Sequence, residues 1–343
     1  MKKWKGYERG VNLGGWLSQC PHTREHYDSF IGEKDLEQIS SWGADHVRLP
    51  IDYNLVETYE GERIEEGFSY IEKAIDWCGR NHLNMILDLH KTAGYSFDSG
   101  EKETGFFDSE KYQERFYALW EELAERYAGY GDRIAFELLN EVTDQKYCEI
   151  WNQIADKCIR RIRRIAPTTS ILVGGYWNNS VSAVKDIAMP QDENIVYNFH
   201  CYDPLIFTHQ GAYWAEGMPL DFRYSFRHTV GEIMEDTQRL KPDWLEPIRP
   251  VRTQDIPMGP EFFKELFADA LRVAEERNVA LYCGEYGVID LADVEESVAW
   301  HRAIHQVFEE YSIGRAVWTY RDMNFGFINE PKTQIISELT KYL

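Results

Sequence analysis

The sequence lacks several features that would place it in other classes of protein. Its 343 residues include six cysteines, at positions 20, 78, 148, 158, 201 and 283, and no two of them form a C-x-x-C pair. It contains no H-E-x-x-H motif either, so the sequence does not predict a zinc site. We expect free thiols in a reducing compartment, because a chain of this length needs no disulfide framework.

Long apolar segments are also missing. No stretch approaches the ~18–20 apolar residues of a membrane span. No apolar segment of ~7–15 residues follows the basic residues Lys2 and Lys3, as it would in a secretory signal. These absences predict a soluble, cytoplasmic protein, or a secreted one if a leader has been removed.

Basic residues are scarce relative to acidic ones. There are 37 Lys and Arg against 58 Asp and Glu, which gives a formal net charge of -21. An acidic surface repels phosphate groups, so we expect neither nucleic acid nor membrane as a partner. A neutral or cationic substrate fits this charge better. No feature of the sequence defines an oligomeric interface, and a monomer is favoured.

What the chain does contain is an alternation of short apolar runs and longer amphipathic stretches. Continuous apolar runs are typical of parallel strands that are covered on both faces. They occupy residues 10–13, 45–49, 85–89, 134–139, 171–173, 195–199, 279–282 and 314–319. Helical spacing of apolar side chains marks residues 69–81, 112–127, 147–165, 262–277 and 294–311. Eight such runs, each followed by a helix or loop, predict an α/β fold with a closed (β/α)8 TIM barrel.

One segment interrupts this alternation. Roughly residues 203–258, which follow the sixth strand, are rich in aromatic residues and proline. A βα loop of this length is unusual and often functional. No Gly-, Pro- or Ser-rich linker divides the chain, so residues 1–343 are predicted to form a single catalytic domain. Within it, the insertion is expected to form a lid or wall over one face, the alternative being an inert surface excursion.

Polar and aromatic residues cluster where the predicted strands end. In chain order they are Trp16, Arg48, His90, Asn140, Glu141, Trp177, Asn178, His200, Tyr202, Glu285 and Trp318. Each of them alone would more often be structural, in a core or in an ion pair. The C-terminal ends of all barrel strands emerge on one face, so their joint occurrence predicts an active site there.

Glu141 and Glu285 are the candidates for catalysis, because a carboxylate at the end of an apolar strand is costly unless it is used or paired. They follow strands four and seven, which face each other across the barrel mouth. Cleavage of a glycosidic bond with retention needs such a pair, one protonated and one ionised, ~5–5.5 Å apart. Glu137 shares the fourth strand but lies roughly 13 Å deeper at ~3.3 Å per residue. A buried, paired role is therefore expected for Glu137.

The motifs around these residues resemble glycoside hydrolase family 5, the cellulase-type members of clan A. They are GVNLGGW at 10–16, HVRLP at 46–50, LDLH at 87–90, LLNE at 138–141, NFHCY at 198–202, GEYG at 284–287 and VWTY at 317–320. They arrive in the family's order and cover nearly the whole chain, and Asn-Glu after strand four is the most specific of them. Within the family the chain looks most like endoglucanases of the clostridial endoglucanase C type.

The resemblance implies a role for most of these residues. Glu141 would be the general acid and base, and Glu285 the nucleophile. Arg48 and Tyr202 would hold Glu285 ionised and oriented, while His200 would lie near Glu141.

The remaining roles implied by the resemblance concern the substrate. Asn140 would bind the sugar 2-hydroxyl, His90 would line the subsite on the non-reducing side, and Trp318 would lie under the sugar ring at the cleavage point. Trp16, Trp177 and Asn178 complete the expected ring of substrate-binding and supporting groups. The resemblance implies no metal and no organic cofactor.

These expectations describe an endo-β-1,4-glucanase-like enzyme that acts on cellulose-type or mixed-linkage β-glucan or on their oligosaccharides. Residues 91–100 and 203–258 depart from the family pattern, and both regions shape subsites. A β-mannanase, a glucomannanase or an exo-acting β-glycosidase is therefore the alternative. The full set of acid, nucleophile and supporting groups argues against a non-catalytic carbohydrate-binding barrel. The scattered histidines argue against a metal-dependent hydrolase.

Overall fold

Eight parallel strands close into a barrel in sequence order in the computed structural model, which describes residues 1–98 and 100–343. Only Ser99, within the segment 91–100 that departs from the family pattern, lies outside the described residues. The strands are β1 (Arg9–Asn12), β2 (His46–Asp52), β3 (Asn84–Lys91), β4 (Ile134–Glu137), β5 (Ile171–Gly174), β6 (Ile195–Cys201), β7 (Ala280–Tyr286) and β8 (Gly314–Val317). Pairing of β8 with β1 closes the barrel, so the predicted (β/α)8 fold is confirmed.

Helices follow the strands along the chain. The α-helices are Arg24–Ser29, Glu33–Ser41, Tyr53–Val56, Glu65–Arg80, Glu110–Tyr127, Cys148–Arg163, Leu205–Thr208, Val230–Leu240, Pro260–Glu276, Val294–Tyr311 and Ile336–Leu339, and the short turn Tyr176–Asn179 is largely left-handed. Short 3-10 helices are Phe106–Asp108, Ala128–Arg133, Gln145–Tyr147, Val181–Asp186, Pro242–Leu245, Lys332–Ile335 and Thr340–Tyr342. Throughout the described part of the chain, these helices are too short or too polar to cross a membrane.

The helices form where apolar side chains recur at helical spacing. In Glu65–Arg80, the side chains of Ile71, Ala74, Ile75 and Cys78 are buried together on one face. Residues three and four apart share a helix face, so this spacing turns one apolar stripe toward the strands. The predicted helices are confirmed, with ends that differ by up to four residues.

A separate apolar cluster forms one layer of the barrel. Its members are Tyr7, Ile86, Ala135, Leu172, Val196, Ala280, Tyr282 and Ala316, which come from β3 to β8 and the segment before β1. The neighbouring strand residues belong instead to the main core cluster. Because side chains alternate along a strand, these two sets occupy opposite faces of the sheet. The polar residues described below therefore lie above a packed apolar layer.

Three strands end at other residues than predicted, and these ends determine where the polar residues of β4, β6 and β7 lie. β4 ends at Glu137, so Leu138 to Glu141 continue beyond the ladder instead of extending the strand. β6 and β7 run further than predicted, and His200 pairs with Glu285 in register next to a bulge. These two side chains therefore originate side by side on neighbouring strands.

The long insertion is an ordered part of the structure between β6 and the helix Pro260–Glu276. It contains the helices Leu205–Thr208 and Val230–Leu240. The second begins with a capping box in which Thr229 and Glu232 satisfy each other's backbone amides. Val230 and Ile233 are buried in the main apolar core, so the insertion packs onto the rest of the chain.

Candidate active site

A cavity of about 770 Å³ opens where the C-terminal ends of the strands meet. Nine of the eleven strand-end residues predicted from the sequence line it, all except Arg48 and Trp16. The nine are His90, Asn140, Glu141, Trp177, Asn178, His200, Tyr202, Glu285 and Trp318. The strand ends thus bring together residues that are up to 228 positions apart in the chain, from His90 to Trp318.

Glu285 lies on β7 and is 5% exposed. Arg48 Nη1 donates to its Oε1 over 2.8 Å, and the Tyr202 hydroxyl donates to its Oε2 over 2.8 Å. Gly284 permits this arrangement, because a Cβ atom there would lie 2.7 Å from Asn198 and 3.0 Å from His200. Both oxygens of Glu285 therefore accept from a fixed donor, one of them charged.

Arg48 is fully buried beneath the cavity, where it links five side chains. Its Nε and Nη2 donate to the two oxygens of Glu137 over 2.7 and 2.8 Å, and Nη2 lies 3.0 Å from Asp88 Oδ2. It also donates to Asn12 and Asn140. Burial disfavours its charge, yet the Asp88 and Glu137 carboxylates raise the pKa of the guanidinium well above its ordinary value. The expected paired role of Glu137 is thus observed.

Glu141 follows β4 and is 9% exposed, but its contacts are neutral groups. His200 Nδ1 lies 2.7 Å from its Oε1, and Asn178 Nδ2 donates to its Oε2 over 2.8 Å. Burial raises the pKa of Glu141 to about 7, against an opposing hydrogen bond from Asn178. Burial also lowers the pKa of His200 to about 4, so this imidazole is neutral near pH 7. Glu141 can therefore carry a proton at neutral pH.

The two glutamates are close enough to act on one bond. A carboxylate oxygen of Glu141, a carboxylate oxygen of Glu285 and a ring nitrogen of His200 all lie within 4.8 Å of one another. This separation fits retaining glycosidases, whose two carboxyl groups lie ~5–5.5 Å apart, and leaves no room for the water that inverting enzymes place between them. The same three side chains offer ligand atoms that could also hold a cation.

Trp318 forms an aromatic wall of the cavity. Its ring is parallel to that of His90, with ring centroids 5.7 Å apart and 2° between the planes. His90 Nδ1 lies 2.6 Å from Asp88 Oδ2, which fixes the imidazole. Asn140 Oδ1 accepts from Arg48, so the remaining polar group of this amide is its NH2 donor. The cavity therefore combines flat apolar faces with hydrogen-bonding groups, as sugar binding requires.

The structure places Trp16 in the core instead of the cavity. Its indole N–H donates to the carbonyl of Tyr27 over 2.9 Å, and its ring stacks on Trp77. The short β1 strand ends at Asn12, and Leu17, which follows Trp16, forms a parallel bridge with Ile51 of β2. Trp16 supports the strand-end loop and does not line the site.

The family relationship follows from the sequence as a whole. The model of the cellulase family, glycosyl hydrolase family 5, matches residues 7–324. The chain belongs to glycosyl hydrolase family 5. Arg48, Glu141, Glu285 and the other strand-end residues all lie inside the matched range.

Two curated relatives in this family match nearly the whole chain. Cellodextrinase A of Ruminococcus flavefaciens is 45% identical over 338 residues, which cover 98% of this chain and 93% of the relative. Endoglucanase C of Acetivibrio thermocellus is 38% identical over 345 residues and covers 98% of both. Among solved structures, endoglucanase Cel5A of Thermotoga maritima superposes with a TM-score of 0.77 at 24% identity, covering 99% of this chain and 98% of the other.

Several lining residues of this family 5 site were not named from the sequence. Most of them come from the insertion, among them His209, Tyr213, Trp214, Asp243 and Trp244. Tyr213 is 74% exposed and also lines a second cavity of about 680 Å³, which shares several lining residues with the first. The aromatic content of the insertion indicated that some of its rings could line the site. Which rings reach the cavity depends on long-range packing.

Proposed function

We propose that this family 5 glycoside hydrolase cleaves β-1,4-linked glucosyl chains by double displacement. In this proposal Glu285 is the nucleophile and Glu141 is the general acid and base. The approach of the two carboxylates to within 4.8 Å beside His200 is the observation that carries the proposal. The charged Arg48 donor on Glu285 and the neutral groups that contact Glu141 support the division of roles.

In the first step Glu285 attacks the anomeric carbon while Glu141 protonates the departing glycosidic oxygen. Arg48 and Tyr202 hold the carboxyl group of Glu285 in place, because each donates a hydrogen bond to one of its oxygens. The raised pKa of Glu141 supplies a protonated acid at neutral pH. The product is a glycosyl ester on Glu285 and a released sugar or shorter chain.

In the second step Glu141, now ionised, takes a proton from a water molecule that attacks the same anomeric carbon. The ester bond to Glu285 breaks, and the configuration of the substrate is restored after two inversions. Asn140 is proposed to hold the 2-hydroxyl through its NH2 group. Trp318 is proposed to lie against the sugar ring, with His90 on the non-reducing side.

We infer that residues 203–258 act as the wall of the substrate groove within a single catalytic domain. Tyr213, Trp214 and Trp244 line the cavity, and such rigid aromatic faces suit sugar rings. A wall of this kind restricts how a long polymer enters. Together with the similarity to cellodextrinase A, it favours cello-oligosaccharides among the possible β-glucan substrates.

The test is hydrolysis of defined cello-, mixed-linkage and manno-oligosaccharides, with products resolved by length and the first-formed anomer observed by NMR. The expected result is cleavage of the glucan oligosaccharides with initial release of the β-anomer. Initial release of the α-anomer would refute double displacement. Release of monosaccharide alone from every substrate would replace the endo assignment with an exo-acting one, and faster cleavage of manno-oligosaccharides would overturn the glucan assignment.

A further inference from the structure

The turn after β5 has a backbone that ordinary residues avoid. Trp177 has φ 49° and ψ 54°, Asn178 has φ 54° and ψ 51°, and Asn179 has φ 55°. Three successive non-glycine residues are therefore left-handed. Asparagine tolerates this region better than most residues, but a tryptophan there is a steric outlier. Such conformations persist when the surrounding structure determines them, and they cluster at functional sites.

The contacts of the turn show what determines it. Asn179 Nδ2 donates to the carbonyl of Asn140, Asn178 Nδ2 donates to Glu141 Oε2 over 2.8 Å, and the Asn178 backbone amide donates to the carbonyl of Val142 over 3.0 Å. The turn thus bonds to three consecutive residues beyond the end of β4. These are the residues that leave the ladder, so the turn replaces the strand pairing that β4 no longer provides.

The neighbouring glycine shows that the fit is tight. A Cβ atom at Gly174 would lie 2.0 Å from Asn179 Oδ1, so any side chain there would displace the Asn179 amide. The Ser180 amide closes the turn by donating to the carbonyls of Tyr176 and Trp177. The left-handed turn is therefore fixed on both sides of Asn178, whose side chain contacts Glu141.

We propose that Asn178, fixed by this left-handed turn, is a positioning residue that orients the Glu141 carboxyl and favours its ionised form in the second step. The inference rests on the proposed role of Glu141 as acid and base. An amide NH2 can only donate, so Oε2 is kept as an acceptor, and the other oxygen faces His200. Glu141 must give up its proton in the first step and act as a base in the second. The amide of Asn178 counteracts the effect of burial, which alone would keep the acid protonated.

Three variants separate the amide from the backbone. Asn178→Gly removes the donor but keeps a residue that adopts the left-handed region freely. Asn178→Asp keeps the shape and replaces the donor with a carboxylate that repels ionised Glu141. Asn278→Gly is the matched control, because Asn278 is exposed and also left-handed, with φ 51°, in the turn that precedes β7 on the opposite face of the barrel.

The readouts are the pH dependence of kcat/KM on cello-oligosaccharides and the kinetics on an aryl cellobioside with an activated leaving group. We expect the alkaline limb to move upward by roughly one pH unit in Asn178→Gly and further in Asn178→Asp. On the aryl cellobioside the first step needs no proton, so the second step limits turnover. On this substrate, both kcat and KM of the Asn178 variants should fall by about tenfold relative to the wild type. Asn278→Gly should match the wild type.

The outcomes also distinguish this inference from the proposed function. If Glu141→Gln has wild-type activity, the assignment of Glu141 fails, whatever Asn178 does. If Glu141→Gln is impaired while both Asn178 variants keep the wild-type pH profile, the positioning role alone is overturned. A uniform loss of kcat in both variants with an unchanged pH profile and an unchanged KM would show that the turn is only structural. Thermal unfolding compared with Asn278→Gly identifies any variant that has lost its fold, and Asn178→Asp then provides the test.

Discussion

The surroundings of Glu285 and Glu141 differ although the two carboxyls are buried to a similar extent. Glu285 accepts from the Arg48 guanidinium and from the Tyr202 hydroxyl. Glu141 contacts an imidazole that is neutral near pH 7 and an amide. Burial raises the pKa of Glu141, which has no charged donor, whereas Glu285 lies against the charged Arg48 at a similar depth. Their proposed roles follow from this difference.

The surroundings of Glu285 also carry the larger desolvation cost, because they include the buried charge of Arg48. A buried guanidinium is tolerable only if its donors are satisfied, and those of Arg48 reach Glu137, Asp88 and Glu285. Burial raises the pKa of Asp88 to about 7 against the opposing charge of Arg48. A partly protonated Asp88 reduces the excess of negative charge around the single cation.

Removal of the proposed nucleophile should cause the largest loss of activity. We expect Glu285→Ala to lose at least about 10⁴-fold in kcat, because no other group can form the glycosyl ester. Azide should restore turnover by entering the space left by the carboxylate, and a single displacement would give an inverted glycosyl azide. Measurement of kcat with and without azide, with NMR of the product, checks this. Near-normal activity without azide would contradict the assignment.

Removal of the acid should have a smaller effect that depends on the leaving group. On cello-oligosaccharides, Glu141→Ala should lose about 10²–10⁴-fold, since general acid catalysis contributes this much. Formation of the glycosyl enzyme from a substrate with an activated leaving group should be much less affected, because that group departs without a proton. In the wild type, kcat/KM should fall as the pH rises through about 7. Equal losses on both substrates would argue against Glu141 as the acid.

Removal of the neutral donor to Glu285 tests whether Arg48 alone can hold this carboxylate in position. Tyr202→Phe deletes the hydrogen bond to Oε2, and a bond to a charged group at this strength corresponds to about 10- to 100-fold in kcat. Tyr286→Phe is the matched control, because the ring of Tyr286 packs against Trp300 and Phe308 instead of the cavity. Steady-state kinetics of the two variants should differ by this factor. Equal activities would mean that Arg48 holds Glu285 unaided.

The sequence predicted the parts of this comparison that depend on periodicity and strand order. Apolar runs located the strands, and closure of the barrel then brought Glu141, His200 and Glu285 to one face. Glu137 was expected to be buried and paired because it lies roughly 13 Å deeper than Glu141 on the fourth strand. These inferences require only local patterns and the rule that parallel strand ends share a face.

Other features depended on contacts that a local pattern does not specify. The burial of Trp16 depends on its contact with Trp77, which lies 61 positions away in the helix Glu65–Arg80. The left-handed turn at 177–179 contacts Asn140 to Val142, which lie beyond the point where β4 stops pairing with β5. The Asn-Asn pair was compatible with such a turn, but nothing local predicts a left-handed Trp177. The rings of the insertion that reach the cavity are likewise selected by long-range packing.

The smallest expected effect concerns stability. The pKa of Glu141 rises from 4.5 to about 7 on folding, mainly because of burial. Between these values the folded state binds more protons than the unfolded state, so this group lowers the free energy of unfolding as the pH rises through that window. Glu141→Gln removes the penalty and should stabilise the protein at pH 8 by up to about 3 kcal/mol, with little change near pH 5. Urea unfolding at both pH values measures this difference, with the exposed Glu149→Gln as the control. An equal increase in the free energy of unfolding at both pH values would show that the stabilisation comes from packing. An increase confined to high pH would show that the raised pKa of Glu141 lowers the stability of the wild-type protein.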